Sequence, residues 1–109
     1  MKKLFLLLIC VLCITVSHTQ TIVKHFNAEF NKANNVTWLN KLTDCSVKYY
    51  NISKYPNLQK KYRVVVVPTI IVFRDGEEIK RYQANIMMQM EAKLEDIQEL
   101  IDESIMSDF

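Results

Sequence analysis

Y-R-V-V-V-V-P-T-I-I-V-F-R-D-G-E-E, residues Tyr62–Glu78, is the stretch from which the fold is read. Val64–Val67 and Thr69–Phe73 are short, apolar and β-branched, which suits buried extended chain and disfavours helix. Pro68 has no N–H to give to a sheet ladder, so it marks a strand start or a bend. Asp75-Gly76 is a preferred dipeptide of the two-residue hairpin, whose central residues both need positive φ. The pattern predicts an antiparallel hairpin of Thr69–Arg74 and Glu77–Tyr82, entered through Pro68.

Upstream of it, Thr21–Asn27 reads as a mostly buried strand carrying Ile22, Val23 and Phe26. Four asparagines from Asn27 to Asn35 then interrupt the pattern. Val36, Leu39 and Leu42, with Trp38 beside them, recur at helical spacing and stop before Thr43-Asp44. Val47–Ile52 reads as a second strand with Tyr49 and Tyr50 partly exposed. Ser53–Pro56 is a loop, and Pro56 suits the first turn of a short helix over Asn57–Tyr62 because its missing N–H is not needed there. Downstream of the hairpin, Met90, Leu94, Ile97, Ile101 and Ile105 form an apolar stripe on a helix over Met88–Ile105, with acids on its far face. The element order is β-α-β-α-β-β-α, an α/β chain.

A length of 109 residues allows one domain. Residues 1–19 have the form of a secretory signal: Lys2 and Lys3, an apolar run from Leu4 to Val16, then Ser17-His18-Thr19. That run is shorter than the roughly 20 residues needed to span a bilayer. Residues 20–109 are then the folded domain, exported to a periplasmic or extracellular space, with an uncleaved anchor as the alternative. Loss of Lys2 and Lys3 takes the 14 basic residues to parity with the 12 acidic ones. A basic footprint for nucleic acid is therefore missing, and no membrane contact is expected after cleavage. Cys10 and Cys13 fall in the apolar run, so their C-x-x-C spacing is a decoy and Cys45 is left unpaired, as a buried hydrophobe or a reactive thiol. Gly76 is the single glycine, which excludes a phosphate-cradling loop. The histidines, two in all, are too few for a zinc constellation, and no cofactor or metal is expected. Asn35-Val36-Thr37 and Asn51-Ile52-Ser53 match the glycosylation acceptor pattern.

V-P-T-I-I-V-F-R-D-G-E resembles the second half of a thioredoxin domain, and the resemblance extends over residues 20–109. Phe26-Asn27-Ala28-Glu29-Phe30 looks like the segment that leads into the redox motif. Asn51-Ile52, Pro56 and Lys61-Tyr62 fall where that family has its N-I/V, P and K-Y. The resemblance implies a thioredoxin-like fold: a central four-stranded mixed sheet flanked by helices, with a cis peptide bond at Val67–Pro68. In this register the C-G-P-C dithiol falls on Asn31-Lys32-Ala33-Asn34. The family's buried acidic residue falls on His25, and its active-site tryptophan on Phe30. A thioredoxin nucleophile is a thiolate favoured by a helix N-terminus, working with a second thiol. A carboxamide supplies neither group, although Asn31 is a good helix cap.

The resemblance thus implies a non-enzyme: a domain that binds a protein or an extended peptide without redox chemistry. Phe30, Asn31, Asn34, Val67 and Pro68 would line its groove. Two alternatives come from the residues themselves. Cys45 could act as a single redox thiol in an oxidising compartment. Or the chain could be a structural subunit, docking through Tyr49, Tyr50, Tyr55 and Tyr62 or through Met87, Met88 and Met90, on a partner or on itself.

Overall fold

The computed structural model describes residues 20–107. The signal segment read over residues 1–19, with Cys10 and Cys13, lies outside the described residues. The hairpin sits where the sequence puts it. Strand β3 is Thr69–Arg74 and strand β4 is Glu77–Gln83. They pair antiparallel with an irregularity between Val72 and Phe73. Asp75 and Gly76 have φ of 52° and 82°, the mirror-image turn geometry that matches strand twist. The Val67–Pro68 bond is cis.

β3 is the inner strand that explains the rest. It pairs antiparallel with β1, Thr21–Asn27, which in turn pairs parallel with β2, Ser46–Asn51. The mixed sheet has the order β2-β1-β3-β4. Alternate residues of β1 and β3 serve opposite faces. On one face, Val23, Ile70 and Val72 meet Val36, Leu39, Leu42, Ile97 and Ile101. On the other, Phe26 and Ile71 meet Ala28, Ile52, Val64 and Val67, with Leu58 and Tyr62 packed against them. Helix α1, Pro56–Lys61, with Pro56 in its first turn, therefore covers one face. Helix α2, Leu94–Met106, covers the other, beside a 3-10 turn over Thr37–Lys41.

Three expectations are corrected. Val64–Val67 is not part of a strand: it is the irregular approach to Pro68, with Val64 and Val67 buried and Val65 79% exposed. The segment around Trp38 is 3-10 and not α-helix. Val36, Leu39 and Leu42 are spaced by three residues, the repeat of a 3-10 helix, so one face stays inward over so short a run. Helix α2 starts at Leu94 and not at Met88. Its Lys93 N–H donates to the Asp96 carboxylate at 2.9 Å, which sets the start. Met90 still packs against the core from the loop before the helix. Among the described residues no helix is long and apolar enough to cross a membrane.

Burial separates the two classes of isoleucine. Ile97→Ala or Ile101→Ala should lower unfolding free energy by about 2–5 kcal/mol. Ile86→Ala, at a fully exposed position, should change it by less than about 0.5 kcal/mol, as read by urea denaturation.

Candidate functional site

β1 ends at Asn27, and the chain turns at once into a 3-10 segment, Glu29–Asn34. Asn31 departs from helical geometry inside it, with φ −109° and ψ 19°, and is buried. It is not a cap: Ala28 holds that position and makes no side-chain capping bond. The Asn31 amide is instead a junction. Its Nδ2 donates to Asn27 Oδ1 at 3.2 Å, to the Val67 carbonyl at 3.3 Å and to the Met88 carbonyl at 3.1 Å. Its Oδ1 accepts from Asn34 Nδ2 at 2.8 Å. Asn27 Nδ2 returns a bond to the Asn31 carbonyl at 2.9 Å. Two protons shared among three acceptors tie the end of β1, the approach to Pro68 and the loop before α2 to one side chain.

That last loop has its own device. Asn85 Oδ1 accepts from the N–H groups of Met87 and Gln89 at 2.9 and 3.1 Å, and the Asn85 N–H donates to the Gln89 carbonyl at 2.9 Å. Met88 takes φ 58°, a conformation a side chain occupies at some cost. The closed loop holds Ile86 and Met87 outward, 100% and 70% exposed. Beside it runs a groove of about 370 Å³ lined by Ala28, Phe30, Ile52, Val64–Val67, Ile86 and Met88, with Ser53, Gln59 and Asn85 at its polar positions. Phe30 and Val65 are exposed on its walls.

Five residues were expected to line this groove. Phe30 and Val67 do. Asn31 and Pro68 are buried beneath it, and Asn34 reaches it only through Asn31. Val65, Ile86 and Met88 are the exposed apolar residues among the unexpected lining. No periodicity marks them, because isoleucine and valine read as core in any sequence. The methionines divide: Met87 and Met88 are exposed, whereas Met90 packs on the core.

No family model and no curated protein matches the chain. Solved structures do. A mutant thioredoxin from Halobacterium salinarum NRC-1 is 22% identical, with a TM-score of 0.61 over 77% of this chain and 74% of that one. Thioredoxin-2 of the malaria parasite, described as a component of its protein secretion machinery, is 20% identical, with a TM-score of 0.64 over 80% and 85%. A malarial protein is 18% identical, with a TM-score of 0.57 over 77% and 96%. The fold is thioredoxin-like.

Asn31, expected from the resemblance at the first thiol position, is a buried amide within hydrogen-bond reach of the carbonyl that precedes Pro68. Below it, at the position expected for a buried acid, His25 is 1% exposed. Its Nε2 accepts from the Val36 N–H at 3.1 Å, which places the ring proton on Nδ1. Burial lowers its pKa from 6.5 to about 4, so it is a neutral core residue at pH 7. Its ring lies 4.9 Å from that of Tyr49.

Cys45 is half-buried, packed against the core on the α2 side. Burial, with the charge of Asp44 second, raises its pKa, which disfavours the nucleophilic thiolate. It directly precedes Ser46, which pairs with Ile22, whereas Pro68 precedes Thr69, which pairs with Phe26. Four residues of strand, roughly 13 Å, separate those two levels of β1. Cys45 is therefore at the opposite end of the sheet from the groove. Of the acceptor sequons, Asn51 has its amide engaged with Glu29 and Ser53, and Asn35 accepts from Asn27. Among the described residues no group of three or more His, Cys, Asp or Glu is placed to hold a metal.

Two measurements follow from these groups. The folded pKa of His25 lies below the unfolded one, so its contribution is complete above pH 6.5 and is lost as pH falls towards 4. Between pH 7 and pH 5 that loss should be about 2 kcal/mol in urea denaturation, and His25→Gln should remove it from the pH profile. Alkylation of Cys45 by iodoacetamide at neutral pH should be slower than that of a free model thiol, as followed by intact mass.

Proposed function

We propose that this chain is a redox-inactive binding module that takes an extended, apolar polypeptide segment along the groove beside Pro68. Residues 1–19 would direct its export before removal. The observation that carries the proposal is the Asn31 amide: a group with no redox chemistry at neutral pH stands next to the Val67 carbonyl and holds three walls of the groove together. Thiol exchange needs a thiolate and a resolving thiol. Cys45 is the cysteine among the described residues, and it lies at the far end of the sheet. The groove walls suit a partner that buries large apolar side chains, since Phe30, Val65, Ile86 and Met88 expose apolar surface around a few polar atoms. An open groove of this kind favours an extended chain, whose backbone bonds to polar atoms while alternate side chains enter the trough.

Fluorescence anisotropy with labelled apolar peptides tests it. Binding should weaken about tenfold in Val65→Lys and in Ile86→Lys, each at an exposed position, with an unchanged circular dichroism spectrum. In a dithiothreitol-driven insulin assay, the protein should be no faster than Asn31→Ala. Reduction above that level, or peptide binding indifferent to both lysine variants, would refute the proposal.

A further inference from the structure

Charge is sorted between the two faces of the sheet. From Cys45 to Arg74 the chain has no Asp or Glu but carries Lys48, Lys54, Lys60, Lys61, Arg63 and Arg74. Helix α2 holds Glu95, Asp96, Glu99, Asp102 and Glu103 and no Lys or Arg. Since α1 and α2 cover opposite faces, a chain of nearly balanced charge is polarised between them, with Arg74 and Lys80 as cations on the α2 side.

Internal pairing does not account for this. On the α1 face, Lys24 Nζ donates to Tyr62 Oη at 2.9 Å and lies 4.8 Å from the ring centres of both Tyr62 and Phe73. Lys61 Nζ lies 5.3 Å from the same Tyr62 ring. Two ammonium groups thus gather at one phenol, and the Lys24 hydrogen bond leads in pulling its pKa down. Glu78, the carboxylate nearby, is engaged by Arg81 at 2.7 Å. Neither lysine has an ion pair among the described residues. Next to them an open groove of about 580 Å³ is lined by Lys61, Tyr62, Arg63 and Phe73, with the Glu78–Arg81 pair at its edge. On α2, Glu95, Glu99 and Glu103 recur every four residues on the exposed side and are likewise without an ion pair among the described residues. Asp102 and Glu103 approach the helix C-terminus, where the macrodipole disfavours anions, and no basic residue stands in the last turn to relieve them.

We infer that the α1 face docks the acidic face of α2 from a second copy of this chain, setting Glu95, Glu99 and Glu103 of one copy against Lys24, Lys61 and Arg63 of the next. A second copy is the occupant because this chain itself carries the complementary surface, with the matching charges unpaired on both sides. The two surfaces lie on opposite faces of the sheet, so the contact is head-to-tail and does not close on a dimer. Exposed ion pairs contribute little each and are screened by salt, so the association is weak and dependent on ionic strength. Its residues are not those that line the groove beside Pro68, so it stands apart from the peptide-binding proposal.

Sedimentation velocity of the purified protein, over a concentration series in roughly 10 mM and roughly 1 M salt, reads this directly, because the Debye length falls from about 30 Å to about 3 Å. The average mass should climb past the dimer with concentration at low salt and return to monomer at high salt. Lys60→Glu/Lys61→Glu and Glu95→Lys/Glu99→Lys, all at exposed positions, should each weaken association at least about tenfold, and an equimolar mixture of the two variants should restore it. A monomer at both ionic strengths, association that strengthens with salt, or a mixture that fails to recover would overturn the inference. So would binding of the monomer to anionic vesicles in the absence of self-association, which would assign the basic face to a lipid surface.

Discussion

A strand that is apolar on both sides has to be covered on both sides, and β3 imposes that condition on the whole chain. Ile70 and Val72 point to one face and Ile71 to the other, all three fully buried. Fully burying a side chain of this size stabilises by roughly 1.5–3 kcal/mol, so each face of β3 needs a helix or turn above it. α2 with the Trp38 turn meets that need on one side, and α1 with Val64 and Val67 on the other. The ends of the sheet are then the places where backbone leaves the ladder and can be used for something else.

At one such end a single amide does what a longer helix would otherwise do. The segment after β1 is too short and too rich in asparagine to form a continuous α-helix, so its polar groups need partners elsewhere. Asn27 and Asn31 supply them reciprocally, and Asn31 extends the network to the Val67 and Met88 carbonyls. Buried carbonyls left without donors would each cost about 1–3 kcal/mol. Asn27, Asn31 and Asn34 therefore serve the architecture of this end of the sheet. They fix the relative placement of the end of β1, the approach to Pro68 and the loop before α2, so the groove is preformed.

The electrostatic design is separate from this groove. Burial keeps His25 neutral at pH 7 and favours the protonated Cys45 thiol. The two helices carry charge of opposite sign: α1 holds Lys60 and Lys61, and α2 holds acids and no Lys or Arg. Lys24 is the intermediate case. Its stem runs over the sheet, and its ammonium group rests among aromatic rings, whose faces attract cations at modest desolvation cost.

The sequence by itself determined the sheet. A β-branched run, a proline and Asp75-Gly76 admit few local conformations, and the hairpin bounds follow from them; Thr21–Asn27 and the Ile97–Ile101 face of α2 were equally legible from periodicity. The resemblance, and not periodicity, set Asn31-Lys32-Ala33-Asn34 at the register expected for a dithiol. Tertiary structure alone decided which apolar residues face water. Val65 and Ile86 have the composition of core, and only the packing of the segments around them leaves them exposed. Likewise, periodicity could not tell a 3-10 turn from an α-helix over Val36–Leu42, because spacings of three fit both over so few residues. The role of Asn31 was hidden for the same reason: two of its acceptors lie 36 and 57 residues away in the chain, and proximity across such distances is a property of the fold.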